Sequence, residues 1–221
     1  MIIGRGLIAT AFTNSLFDTP PYVVFASGVS NSTERDPMAY ARELALLDTY
    51  FIKNTTLIYF STTSIFDPTK TSSPYIQHKM GIENRIREQA DSYIIVRLPI
   101  LIGHTPNPHT LINFLVGAIQ EKRPIELHTK ACRNILDIDD LVPVLMRYSL
   151  DKDIRHTVNI PGSEKITVPQ LVTKLQAVLT EDGVFTWQDT GACYDLPDNA
   201  GEIVYIGGEN YIDKVLAKYY S

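Results

Sequence analysis

Long apolar runs are missing from this 221-residue chain. No stretch approaches the roughly 20 residues that span a bilayer, and the start, Met1-Ile2-Ile3-Gly4-Arg5-Gly6, lacks the charged-then-apolar order of an export signal. A soluble chain with no membrane partner is the reading. Cysteine is nearly absent as well: Cys132 and Cys193 lie far apart without C-x-x-C spacing, which argues against a zinc site and against a disulfide framework. A reducing cytoplasm fits that usage best. The five histidines show no two-plus-one ligand spacing, so no metal is expected. Charge of one sign never accumulates. With a net charge of -5 and no basic run, nucleic acid is not an expected partner. Repeats and low-complexity segments are missing too. A hydrophobic content of 44% and a charged content of 20% describe one full core, with room for a small second lobe.

The stretch from Thr56 to Gly103 organises what is present. Thr56-Leu-Ile-Tyr-Phe-Ser-Thr62 is an apolar, β-prone run ending in hydroxyls, which predicts a buried strand opening into a crevice at Ser61 and Thr62. Ser73-Pro74 then starts a helix that places Tyr75 and Lys79 on one face, a turn apart. A free phenol, with a pKa of about 10, is a poor acid or base at neutral pH. A neighbouring ammonium favours the phenolate and draws it toward the working range. With the Thr62 hydroxyl holding the oxygen of an alcohol or ketone, the trio describes carbonyl–carbinol redox. A second Tyr-x-x-x-Lys, Tyr148 to Lys152, lacks this strand context and reads as the solvated end of a helix.

Ile2 and Ile3 predict a very short strand running into Gly4-Arg5-Gly6-Leu7-Ile8-Ala9, a G-x-G-x-x-A. Such glycines let a backbone turn tightly and approach a pyrophosphate; an ordinary glycine turn is the alternative. The following helix is expected over Leu7 to Phe17, with a strand at Tyr22 to Gly28 directly after it. No second strand carrying an acid for the adenosine ribose is visible. Asp36-Pro37 starts a helix with Met38, Ala41, Leu44, Ala45 and Leu47 as its apolar face. In the helix from Pro74, Met80, Ile82 and Ile86 are the expected core contacts, and Glu83, Arg85, Arg87 and Glu88 the solvated side. Beyond Gly103, short strands are expected near Pro124–His128, Asn134–Ile138, His156–Ile160 and Phe185. Helices follow at Leu111–Ile119, after Asp139-Asp140, from a Thr167/Gln170 capping box to Leu179, and over Glu209–Tyr220.

Taken together these residues resemble the extended branch of the short-chain dehydrogenase/reductase superfamily, which contains nucleotide-sugar epimerases, dehydratases and dTDP-4-keto-sugar reductases. Tyr75, Lys79 and Glu83 resemble its Y-x-x-x-K-x-x-x-E; Phe60 to Asp67 resembles its Ser/Thr-ending strand. Arg97, Leu98, Pro99 and Gly103 resemble its R-x-x-x-(V/I)-x-G strand. Asn134 to Leu141 and Val158 to Gly162 match later segments. The resemblance implies a three-layer, Rossmann-like, mostly parallel α/β sheet and an NAD or NADP cofactor. It also implies a nucleotide-sugar substrate, of the kind used in surface polysaccharide biosynthesis. It makes Tyr75, Lys79 and Thr62 catalytic. Gly4, Arg5, Gly6, Leu7, Ile8, Ala26, Ser27, Gly28, Ser61, Tyr75, Lys79 and Pro99 become cofactor contacts, and Thr62, Thr63 and Arg133 substrate contacts. Residues 1–103 would form the nucleotide-binding core, with 155–162 returning a strand to it, and 104–221 mainly the substrate lobe. The region before Tyr22 is too short for the family's second and third strands, and the Thr62–Tyr75 connector is also short. Two readings follow: a reductase or epimerase, and an inactive relative that keeps a sugar or nucleotide pocket. The reduced sheet edge makes self-association plausible.

Overall fold

Alternating strands and helices wind the first hundred residues into a parallel sheet. The computed structural model describes residues 1–147, 154–163, 165–197 and 206–221. The order is β1 (Ile2–Ile3), α1 (Leu7–Phe12), β2 (Tyr22–Phe25), α2 (Pro37–Asp48), β3 (Thr56–Thr62), α3 (Pro74–Gln89) and β4 (Ser92–Leu98). There follow β5 (Ile100–Ile102), α4 (Leu111–Gln120), β6 (Ile125–His128), β7 (Cys132–Arg133), β8 (Ile135–Asp137) and α5 (Ile138–Met146). The chain ends with β9 (Arg155–Asn159), β10 (Ile166–Thr167), α6 (Val168–Leu179), β11 (Phe185–Gln188) and α7 (Tyr211–Tyr220). The main sheet runs β1-β2-β3-β4-β9 with every pairing parallel. β1 is its edge, as the missing strands require.

Three layers follow from the two-residue period of the strands. Ile58, Phe60, Ile94 and Val96 pack against Phe12 of α1 and Leu141 and Leu145 of α5. Leu57, Tyr59 and Ile95 turn the other way, onto Leu47 of α2 and Ile82 and Ile86 of α3. A separate cluster, with Leu115, Leu171, Leu175 and Leu216, unites α4, α6 and α7. The Thr167/Gln170 capping box forms at α6, whereas α5 is capped by Asp137, whose carboxylate accepts from the Asp139 N–H. Among the described residues, no helix is long and apolar enough to cross a membrane.

Several expectations need correcting. α1 stops at Phe12 because Thr13-Asn14-Ser15 turns back on it: Asn14 adopts φ 63°, and the Thr13 and Ser15 hydroxyls cap the Ala9 and Phe12 carbonyls. A 3-10 turn then covers Leu16–Asp18. On α2 the buried residues are Glu43 and Leu47, whereas Met38 is 73% exposed. α3 buries Tyr75, Ile76, Lys79, Ile82, Glu83 and Ile86, so Glu83 belongs to the core side and Met80 to solvent. Glu83 receives a two-pronged bond from Arg97, at 2.9 and 2.5 Å, and a third from Arg87 at 2.8 Å. Cys132 and Cys193 are joined in a disulfide, their Cα atoms 4.7 Å apart, so the expectation of two unrelated thiols fails. Sequence spacing gave no sign of it because the pairing is made by β7 meeting a distant loop. Tyr148 to Lys152 lies outside the described residues.

Candidate active site

Thr62 ends β3 at the carboxyl edge of the sheet, where parallel sheets bind ligands. Its Oγ1 accepts the Ser64 N–H at 3.1 Å, capping a 3-10 turn over Thr63–Phe66 and fixing the direction of the hydroxyl. Pro74 at the first position of α3 starts that helix beside this edge. Tyr75, one residue in, is 8% exposed, and the Thr62 hydroxyl is near enough to act on its phenol. The Lys79 ammonium lies 5.9 Å from the Tyr75 ring centroid. The three predicted side chains are therefore neighbours.

A crevice opens over Thr62. Its walls are Thr63 and Ser64 from the turn, Pro99 and Ile100 from the β4–β5 junction, Arg133 and Asn134 from β7 and its end, and Tyr194. Thr63 is buried and gives its hydroxyl to the Leu98 carbonyl. Arg133 Nη1 donates to the Cys132 carbonyl at 2.6 Å. Tyr194 was not foreseen; it reaches the wall because Cys193 before it is tied to Cys132 before Arg133.

The other predicted contacts divide. Gly4, at φ +125°, approaches the Ala26 carbonyl so closely that an added Cβ would stand 2.4 Å away. Close passage of two strand ends thus demands glycine there. Gly6 has open space around it, Arg5 is exposed, and Leu7 and Ile8 pack on the α1/α5 core. Ala26, Ser27 and Gly28 form the half-buried loop after β2, where Ser27 accepts from Arg42. Ser61 is buried and does not line the crevice; its hydroxyl influences the Glu83 carboxylate but makes no hydrogen bond.

Glu43 is what sequence reasoning missed. It is fully buried, and its carboxylate takes four donors: the Val29 N–H at 2.6 Å, the Tyr59 hydroxyl at 2.7 Å, His78 at 2.9 Å and Lys79 at 3.1 Å. Lys79 also donates to the Tyr59 oxygen at 2.9 Å. Gly28 roofs the pair: a Cβ there would sit 2.7 Å from Glu43 Oε1 and 2.8 Å from Lys79 Nζ. Burial pushes the Glu43 carboxyl up, but the Lys79 charge and the bonds from His78, Val29 and Tyr59 outweigh it and hold it well below the usual carboxylate range. The Tyr75 phenol moves the opposite way from expectation. Burial first, then the Glu43 charge, push it far above its ordinary value, with only the Thr62 hydroxyl acting against them. The clue was available in Tyr40, Glu43 and Leu47, which set a carboxylate on a helical stripe otherwise facing the core.

No family model matches the sequence, and no curated protein matches it. Solved structures do. A UDP-N-acetylglucosamine 4-epimerase from Methanobrevibacter ruminantium, in complex with UDP-N-acetylmuramic acid, matches with a TM-score of 0.65 at 16% identity, over 90% of this chain and 75% of that one. A UDP-glucuronic acid 4-epimerase from Bacillus cereus, in complex with NAD and a fluorinated UDP-sugar, gives 0.66 at 15%, over 90% and 73%. The dTDP-4-dehydrorhamnose reductase of Bacillus anthracis, in complex with NADP, gives 0.63 at 15%, over 90% and 79%. The chain shares the fold of these proteins. At these identities the likeness establishes the architecture, over about three quarters of the length of such relatives.

Proposed function

We propose that this protein is an NAD(P)-dependent reductase or epimerase acting on a nucleotide sugar, in the cytoplasmic biosynthesis of surface polysaccharide. The observation that carries the reading is the grouping of the Thr62 and Tyr75 side chains at the mouth of a parallel sheet, with the Lys79 ammonium 5.9 Å from the Tyr75 ring. Solved relatives of this fold are complexed with NAD or NADP and with UDP-sugars. The nicotinamide half of a dinucleotide fits the residues present: the open space at Gly6 leaves room for a phosphate beside the exposed turn, and Pro99 and Thr62 stand at the reacting end. Gly4, Arg5 and Gly6 would hold the pyrophosphate, and Lys79 the ribose. The bound cofactor supplies hydride chemistry at a carbinol or carbonyl carbon. The adenosine half has less support, because β1 is the sheet edge and no neighbouring strand carries an acid.

Thr62 would hold the substrate oxygen against Tyr75, while Arg133 faces the charged linkage of the nucleotide. The crevice is a small cleft partly open to solvent, short of enclosing a whole ligand of drug size, and the sugar end is the part it would take. Calorimetry with NAD, NADP and a panel of keto-sugar nucleotides tests the reading, followed by spectrophotometric turnover. Tyr75→Phe is expected to reduce turnover by about 10²–10⁴-fold; full activity in that variant removes the assigned role. Binding of a sugar nucleotide without any dinucleotide would favour an inactive relative, a reading supported by the inward bonding of Lys79 to Glu43.

A further inference from the structure

A carboxylate with no exposed surface, on a helix remote from the Tyr-x-x-x-Lys, bonds directly to that motif's lysine. Two features make this more than helix packing. First, the carboxylate is close enough for its charge to act on Tyr75. Second, the ammonium is held by Glu43 at 3.1 Å and by the Tyr59 oxygen at 2.9 Å, while standing 5.9 Å from the Tyr75 ring. The groups facing Tyr75 are Thr62 and Tyr59 from β3, Lys79 from its own helix, and Glu43 and Tyr40 from α2. Those facing the Lys79–Glu43 pair are Tyr59 from the sheet, His78 from α3 and the Val29 N–H, with the Glu83 charge also acting on Lys79. Glu83 is itself neutralised by Arg97 and Arg87, so Glu43 balances the ammonium one for one.

The geometry points to Glu43 as a positioning residue: paired with Lys79, it cancels the ammonium beside Tyr75, so that Tyr75 stays a neutral phenol and serves the crevice as a proton donor. This rests on the reading of the site as a dinucleotide-dependent one, and it narrows the substrate class to a ketone. In that reaction the carbonyl carbon accepts hydride from the reduced dinucleotide, the reductant. The carbonyl oxygen takes the Tyr75 proton as the phenol O–H bond breaks, giving CH–OH, and water returns a proton to the phenolate. Carbinol oxidation needs a phenolate at the outset. An uncovered ammonium a turn away would promote one, and Glu43 prevents that.

The test is direct titration of Tyr75 by NMR with tyrosine labelled at Cζ, the resonance being assigned by its loss in Tyr75→Phe. In the unmodified protein Tyr75 is expected to stay protonated beyond the ordinary phenol value of about 10. In Glu43→Gln, which keeps the shape and exposes the ammonium charge, its titration is expected to fall by about 1–3 pH units. Tyr59→Phe removes a bond to Glu43 with all charges intact and is expected to leave Tyr75 where it was. Ionisation of Tyr75 at or below the ordinary value in the unmodified protein overturns the inference, even where Glu43→Gln does not fold. No shift in Glu43→Gln, or an equal shift in Tyr59→Phe, overturns it as well. These readouts need no cofactor. Failure of every dinucleotide to bind would overturn the functional reading while leaving the Tyr75 titration to decide the role of Glu43.

Discussion

Replacing Lys79 with methionine keeps the length of the side chain and deletes its charge, leaving Glu43 as a buried carboxylate without a counter-ion. The two side chains are 3% and 0% exposed, so water cannot take over. Breaking a buried pair by removing one partner costs about 3–5 kcal/mol. Three donors remain on the carboxylate, from Val29, Tyr59 and His78, which places the loss near 3 kcal/mol, or roughly 6–12 °C in melting temperature for a chain of this size. The pH dependence gives a sharper signature. In the unmodified protein the Glu43 carboxyl is held below its usual range. It therefore contributes stability that is fully present above the unfolded value of about 4 and is lost as pH falls through the lower folded value. In Lys79→Met the sign reverses, because burial now pushes the carboxyl up and protonation relieves it. Urea denaturation at pH 7 and pH 5 should show the deficit shrinking toward acid. The double variant Glu43→Gln/Lys79→Met, which removes both charges and keeps an amide oxygen for the remaining donors, should recover part of the loss. A deficit under about 1 kcal/mol, or one that does not change with pH, would refute the account of a buried, charge-dependent pair.

Glu83→Ala leaves Arg97 and Arg87 without their carboxylate; with Arg97 only 17% exposed in its side chain, a loss of about 3 kcal/mol in thermal or urea unfolding is expected, and a loss within experimental error would mean that the pair is solvent-screened. Reducing the Cys132–Cys193 bridge, which closes a loop of 61 residues, should lower stability by about 4 kcal/mol on the loop-entropy scale. The variant lacking both cysteines should show the lower stability with or without reductant, and unchanged unfolding of the unmodified protein under reductant would count against the bridge.

The strands and the mouth of the sheet were legible because they obey simple rules. Leu57 to Phe60 is apolar on both faces, as a central parallel strand must be, and Pro74 announces the helix that carries Tyr75. Residues spaced by one helical turn can be read locally. The electrostatic surroundings of Tyr75 could not be, since Glu43 comes from a helix that meets α3 only through the fold. The same limit explains Glu83: binary patterning assigns charged residues to solvent, yet Arg97 on β4 supplies the partner that makes burial of Glu83 tolerable. Met38 and Met80, apolar by pattern, stand outside because those buried charges occupy the inward positions. The end of α1 was misplaced for a different reason: Thr13, Asn14 and Ser15 compete with the helix for its own carbonyls.

Arg133 and Tyr194 each directly follow one half of the cystine. Two wall residues some sixty positions apart are thus anchored to a common covalent pin, which fixes their separation across the opening. The wall need not be assembled by the ligand, so little of the binding energy is spent on ordering it.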